Sequence, residues 1–447
     1  MKKDYDVIIV GAGPAGLFAA YTLADSKKKV CLIDMGKPVK ERRKKDSMCG
    51  VGGAGTFSDG KLHFSPVLSH EKMLHLYTIE GYRKYLNKVD KIFTDFGVNC
   101  ESYPKDKVAV EELVDEANRQ GIQLFIRELK HVGSDKLPKV VTNFEEYLMK
   151  KGIEIKTNTE VVDILVEKNK CVGLKLRDGG KLNSEFVVLA PGRIGARWLQ
   201  KLAEKHDIKY DYEKIEVGVR IEFPATVMRR YAELMYEAIF MMHPPTFDDP
   251  VRTFCPCPNG MVSTEQYDGF VCVNGHSNSN SKTKYSNFAL VTEMTLTEPL
   301  ENTTKYGKSI GKLATTIGGG KPIIQRLSDL KKGRRSTWGR INKSFIEPTL
   351  KDVSPGDIAM ALPYRIVTDL LEAIEMLERV LPGINSGDNL LYAPEIKFRA
   401  SKIRTNKYLE TDIKNLFVAG DGPGLSGNIV GAAATGIMAA EGVLKKI

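Results

Sequence analysis

DYDVIIVGAGPAGLFAAYTLADSKKKVCLIDMG, residues 4–36, reads as strand, turn, helix and strand. Val7 to Val10 is a continuous apolar run, the pattern of a strand buried on both faces. Gly11, Gly13 and Gly16 then form G-x-G-x-x-G, with Pro14 and Ala15 inside it. The first glycine permits the tight turn, the second lets a pyrophosphate reach the backbone, and the third lets the helix pack close to the strand. The helix start offers N–H groups and a partial positive charge to an anion. Leu17, Ala20 and Leu23 continue the buried helix face. A second strand, Val30 to Ile33, ends at Asp34 and Met35. Asp34 lies 18 residues after Gly16, where an acceptor for ribose hydroxyls belongs. Strand, glycines, helix and acid together predict a dinucleotide site.

The chain closes on a second such pattern, NLFVAGDGPGLSGNIVGAAATGIMAAEGVL at 415–444. Leu416 to Ala419 reads as a short buried strand, and Gly420 and Asp421 follow at its carboxyl end. Gly424, Gly427 and Asn428 lead into a small-residue helix beginning at Ile429. Open α/β sheets bind ligands beyond the carboxyl ends of their strands. A carboxylate there can accept from ribityl or ribose hydroxyls, and a helix start there stabilises negative charge on a flavin ring.

The pairing of these two ends resembles the two-dinucleotide-fold flavoproteins, in which the Gly–Asp carboxylate binds the ribityl chain of FAD. Asp421 matches that position. VVLAPG at 187–192 resembles the strand and turn near FAD, with Ala190, Pro191 and Gly192 at the turn. Pro191 stands where Thr is usual and cannot donate a backbone hydrogen bond. TEVVDI at 159–164 and CVGLKLRDGG at 171–180 match the antiparallel ribbon, where the resemblance implies that Val161 offers its backbone to the adenine. CGVGGAGTFSDGKL at 49–62, KHVGSDKL at 130–137, FCPCPNG at 254–260 and APE at 393–395 narrow the match. In that order they resemble a largely uncharacterised family of FAD-dependent dehydrogenases, the NAD(P)/FAD-dependent oxidoreductases. The first of these segments adds Gly53, Ala54 and Gly55 to the implied FAD contacts. Arg193 and Ile194 depart from the His and Ser expected after the turn, Asp421 replaces a frequent Glu, and KFRAS at 397–401 replaces a Thr- and Ser-rich stretch.

Composition is compatible with this reading. Of 447 residues 42% are hydrophobic and 27% charged, which supplies a sizeable core and excludes wholesale disorder. The formal charge of +10 suits an anionic ligand or small-molecule substrate, not nucleic acid in particular. The basic run KPVKERRKK at 37–45 reads as a solvated loop. No apolar stretch is long enough to span a membrane. Seven scattered cysteines give no disulfide framework, so a cytoplasmic setting is expected. The expected fold class is α/β. A Rossmann-like, three-layer domain with a mostly parallel sheet is built from 1–212 and 391–447. A mixed, mainly antiparallel α+β substrate or cap domain is inserted at 213–390. Helices are expected near 69–98, 110–120, 137–151 and 366–383, with a loop and connecting helix over 315–336. Asn–Gly turns are expected at 259–260 and 274–275.

Candidates for chemistry are fewer. Cys49 sits in the glycine-rich loop and could serve as a redox thiol, although the spaced cysteine pair of disulfide reductases is absent. Lys61 could hold the flavin or an anionic substrate, and His63 could relay protons. Cys255 and Cys257, one residue apart in a strand, would share a face. Lys130, His131 and Asp135 form a polar cluster, and Arg334 and Arg335 could clamp an anion. No cysteine or histidine spacing indicates a metal. These features lead to the expectation of an FAD-dependent oxidoreductase acting on a small organic substrate, with NAD(P)H an allowed transient reductant. Two alternatives stand: a hydroxylase-like monooxygenase, and a flavoprotein using FAD for electron transfer or structure with a protein partner.

Overall fold

A computed structural model describes residues 3–43, 46, 48–58, 60–66, 73–133, 136–267, 269–276, 282–296, 302–398 and 401–447. They fall into two units: 1–102, 128–212 and 400–447 form one, and 103–127 with 213–399 form the other.

The first unit is organised by the opening stretch. β1 (Tyr5–Val10) leads through Gly11 into α1 (Pro14–Leu23) and on to β2 (Val30–Ile33). β3 (Glu154–Lys156) pairs with β2, β6 (Lys181–Leu189) with β1, and β7 (Leu416–Val418) with β6, all parallel. The amino-terminal half of β6 instead pairs antiparallel with β5 (Lys170–Leu176), which pairs with β4 (Val161–Glu167). The sequence called for this combination of parallel sheet and ribbon. The closing helix α2 (Ile429–Leu444) is buried along almost its whole length, as a helix rich in alanine and glycine on every side must be. It lies directly on α1: a Cβ added to Gly436 would stand 2.0 Å from the Ala15 carbonyl oxygen. Phe18, Phe96 and Phe144 pack beneath, with the last two rings stacked at 4.1 Å.

The second unit is built on an eight-stranded sheet whose central strand is Ile215–Pro224. Val217, Val219, Ile221 and Phe223 enter its main apolar core. Glu216, Arg220 and Glu222 alternate onto the other face, which is also buried. Fully buried Arg220 donates to Glu395 Oε2 at 2.9 Å and to Asn287 Oδ1 at 2.8 Å. The neighbouring guanidinium holds the Glu395 carboxyl below its ordinary range against the opposing effect of burial.

Several expectations need correction here. The second unit begins earlier than 213, taking in helix Lys107–Arg119 and strand Gln123–Phe125. Val110, Leu113 and Ala117 of that helix join the second core, and the strand pairs with Ile239–Met242. The unit also ends later than 390, because strand Leu390–Lys397 lies between Ile215–Pro224 and Ile323–Arg326 in the antiparallel sheet. Ile323–Arg326 is therefore a strand where a loop was expected, with helix Leu327–Lys331 after it. Asn274 and Gly275 do not turn. They run inside strand Phe270–His276, opposite Ser263 and Val262. Gly275 is required there because its Cβ would meet Arg220 Nη1 at 2.2 Å. Asn259, at φ +51, does make its turn. Cys255 and Cys257 do not follow strand alternation, because a register shift between Phe254 and Cys257 puts Cys255 at φ +46. None of the seven cysteines is in a disulfide.

Candidate functional site

The carboxyl ends of β1, β6 and β7 carry a run of small residues contributed by both ends of the chain. At the first turn, a Cβ on Gly11 (φ +98) would overlap the Ala190 carbonyl oxygen at 2.1 Å, and one on Gly16 the Gly11 oxygen at 1.8 Å. Packing alone demands these two glycines. Gly13 differs. Its φ is −73, open to any residue, and the nearest atom to an added Cβ would be Gly53 Cα at 3.8 Å. Neither backbone nor packing demands glycine there. Gly13 is also the N-cap of α1 and brings no side chain to the first turn. The helix start is thus open to a diphosphate.

The glycine-rich loop after β2 forms the adjoining wall. Gly52 N–H donates to the Ala12 carbonyl at 2.8 Å, and Gly53 backs onto Gly13. Gly55 touches Pro14 and Ile429, so this loop, the opening turn and the start of α2 converge. Gly53, Ala54, Gly55, Gly427, Asn428 and Ile429 keep part of their surface accessible. Asn428 caps α2 by accepting from Gly431 N–H at 2.8 Å. Gly420 N–H donates to Thr435 Oγ1 at 2.9 Å, and its added Cβ would stand 3.1 Å from that of Ala15. Asp421 accepts from Ser426 Oγ and, at 3.3 Å, from Arg193 Nη2. Arg193, a departure from the family pattern, therefore lies beside the carboxylate. Ala190 N–H is spent on the Val10 carbonyl at 2.7 Å. Pro191 and Gly192 line the same edge, and Val161 begins the ribbon strand β4.

Asp34 is more deeply engaged than its position in the sequence implies. It is 7% exposed and accepts three backbone N–H bonds at 2.8 Å, from Ala12 to Oδ2 and from Gly36 and Gly50 to Oδ1. The carboxylate thereby ties the opening turn to the start of the glycine-rich loop. Met35 beside it is half exposed.

Arg42 shapes the glycine-rich loop, a part that its place in a basic run does not announce. The basic run around it reads in sequence as a solvated loop. That holds for Lys40 and Arg43, which are exposed, but Arg42 is buried. Its guanidinium donates to the carbonyls of Val51 (2.5 Å) and Gly53 (2.9 Å) and to Thr56 Oγ1 at 2.8 Å. The only sequence signal was the glycine-rich loop itself, whose carbonyls have no ladder to join and need a donor.

Lys61 and His63 lie on a short strand, Lys61–His63, and both are buried. The strand packs against α2 and pairs with Leu129–His131, placing Lys61 opposite His131. Lys130 pairs with Asp90 at 2.6 Å, and Asp135 lies outside the described residues. Burial, reinforced by Asp34, pushes the Cys49 thiol above its ordinary range, away from a reactive thiolate. Arg334 is tied to Asp329 at 2.8 Å, while Arg335 is exposed. Among the described residues no three His, Cys, Asp or Glu are grouped to hold a metal, and no helix is long and apolar enough to cross a membrane.

Known proteins carry the same two parts. A family model for the FAD binding domain matches residues 6–61, and one described as FAD-dependent protein, C-terminal domain-like, matches residues 214–398. A Clostridium beijerinckii protein described only as an uncharacterized protein is 27% identical over 478 residues, spanning 98% of this chain and 80% of that one. The L-aspartate oxidase of Clostridium perfringens is 28% identical over 221 residues, 46% of this chain and 45% of that one. Glycine oxidase from Bacillus cereus aligns at a TM-score of 0.41 and 13% identity over 99% of this chain and 96% of its own, too distant to carry an argument. The opening stretch matches a model of an FAD binding domain and the antiparallel unit one of an FAD-dependent protein, and the chain is an FAD-binding protein.

Proposed function

We propose that this protein transfers a hydride, or two electrons, between bound FAD and a small organic substrate. The observation that carries this is Gly13, whose missing side chain answers no need of the fold and leaves the start of α1 bare for a diphosphate. In this reading the first turn of α1 and Gly53 to Gly55 hold the diphosphate. Asp34 and Met35 border the adenosine ribose, and Val161 the adenine. Asp421 holds the ribityl hydroxyls, and Gly427 to Ile429 border the ring. Asp34 already accepts three bonds, so its part is first to shape the turn and then to offer a remaining lone pair. When bound, FAD supplies the redox chemistry, and the protein supplies position and electrostatics.

Lys61 is the residue we assign to charge stabilisation near the ring or the substrate, with His63 as a proton relay on the same strand. The thiol of Cys49 is not suited to a nucleophile's part, given its raised pKa. The antiparallel unit carries no dinucleotide signature, and recognition of the substrate falls to it. The net positive charge favours an anionic substrate.

Anaerobic stopped-flow reduction with NADH and with NADPH tests this reading. Rapid reduction without substrate, followed by reoxidation by an organic acceptor, supports a reductase. Reduction that requires bound substrate and ends in oxygen insertion replaces it with a monooxygenase. Failure of both nicotinamides and of small organic donors leaves electron transfer with a protein partner. Lys61→Met is expected to lower the flavin midpoint potential by removing a nearby cation, and an unchanged potential removes Lys61 from the site.

A further inference from the structure

Residues 330–346 of the second unit contain Lys331, Lys332, Arg334, Arg335, Arg340 and Lys343 and no acidic residue. Some of these cations serve the fold: Lys331 donates to Asn385, Arg334 to Asp329 and Arg340 to the Arg335 carbonyl. Lys332, Arg335 and Lys343 are exposed, and no acidic partner is recorded for them among the described residues. The same segment carries two exposed aromatic side chains, Trp338 at 45% and Phe345 at 90%.

The segment is anchored firmly. Ser336 is buried and donates from Oγ to Asp329 Oδ2 at 2.7 Å. Ile341 and Ile346 are buried in an apolar cluster, and Ser344 Oγ donates to the Asp388 carbonyl at 2.6 Å. The short helix Trp338–Ile341 and the turn after it hold Trp338 and Phe345 out on a fixed backbone. Ser336 N–H bonds the Gly356 carbonyl, which brings the 358–360 turn alongside, and Met360 on it is 66% exposed.

We propose that this face docks on an anionic lipid bilayer, with Lys332, Arg335 and Lys343 at the headgroups and Trp338, Phe345 and Met360 entering the interface. Cations bind anionic headgroups by charge. Tryptophan beside aliphatic and aromatic side chains is the pattern of interfacial anchoring, in which one part of the surface meets hydrocarbon and the other water. Phe345 has no polar group to satisfy, so water is its poorest surrounding and a bilayer edge covers it. Acyl chains also accept Met360 and Phe345 without the flat stacking that nucleic-acid bases demand. The docking does not depend on the reaction proposed above.

Cosedimentation of the full, flavin-loaded chain with vesicles tests it. Binding is expected to vesicles of phosphatidylcholine mixed with phosphatidylglycerol, to weaken in salt, and to be far poorer with phosphatidylcholine alone. The double variant Arg335→Gln, Lys343→Gln should lose about fivefold per charge removed, roughly 25-fold together. Trp338→Ala with Phe345→Ala should lose binding at high salt while flavin content and melting temperature stay unchanged, since both side chains are exposed. Absence of binding to the mixed vesicles overturns the proposal. So does binding that both double variants retain, or capture of a single-stranded oligonucleotide in place of vesicles.

Discussion

Replacing Asp34 with Asn separates two roles that a carboxylate at the end of β2 can play. If it only accepts from a ribose, Asp34→Asn weakens cofactor binding and leaves the empty protein as stable as before. The geometry predicts otherwise. Oδ1 accepts from Gly36 and Gly50, and Oδ2 from Ala12, all at 2.8 Å in a buried setting. An amide can keep its oxygen toward Gly36 and Gly50, but its NH2 then faces the Ala12 N–H, donor against donor. Two charge-assisted bonds become neutral, at a cost of about 1 kcal/mol each, and one buried N–H is orphaned for about 1–3 kcal/mol. The sum, about 3–5 kcal/mol, is a large share of a typical folding free energy. Urea unfolding of the deflavinated wild-type and variant proteins measures it directly. A loss under about 1 kcal/mol, with cofactor affinity alone reduced, would refute the reasoning.

Further outcomes follow from single contacts. Gly13→Ala should leave the stability of the deflavinated protein unchanged or slightly higher while FAD affinity drops at least about tenfold, because the protein atom nearest the new methyl, Gly53 Cα at 3.8 Å, is only an ordinary contact. Gly16→Ala, whose methyl would stand 1.8 Å from the Gly11 oxygen, should instead destabilise the protein itself, and thermal melts of the pair distinguish them. Arg42→Lys keeps the charge but loses the guanidinium fork to Val51, Gly53 and Thr56. A loss of about 2–4 kcal/mol, with reduced flavin content on purification, is expected. Asp369, buried on helix Tyr364–Leu377, is pushed up to about 7 by burial and by the neighbouring Asp249, while Arg365 opposes the shift. A carboxyl whose pKa is raised by folding holds its proton more tightly folded than unfolded. Its penalty is absent below the ordinary carboxyl range and grows as pH rises toward about 7. Asp369→Asn should therefore raise the melting temperature at about pH 8 and change it little at about pH 4.

The parts of the fold legible in sequence were those with a local signature. β1, α1 and β2 announce themselves because a strand buried on both faces, a glycine turn and a small-residue helix each need a distinct composition. The closing helix is legible for the same reason: only residues as small as Ala and Gly allow α2 to lie on α1. What was hidden depends on partners distant in the chain. Helix Lys107–Arg119 has an ordinary amphipathic face, and nothing in it tells which of two cores will receive it. Strand Leu390–Lys397 adjoins the closing FAD segment in sequence but pairs with Ile215–Pro224. Gly275 looks like a turn until Arg220 is placed over it. Arg42 and its exposed neighbours look alike in sequence, and only the loop carbonyls distinguish them. Asp34 reads in sequence as an acceptor for ribose hydroxyls, but its three backbone donors are not legible there, because they come from three separate turns.

The account stands most directly on whether one adenine-bearing flavin spans both chain ends, and titrating the deflavinated protein with FAD and with FMN measures that. FAD should restore the yellow colour and saturate at a single equivalent, while FMN, lacking the diphosphate-linked adenosine that the opening turn is shaped for, should bind far more weakly. A protein that stays colourless in excess FAD, or that binds FMN as tightly, would contradict the account.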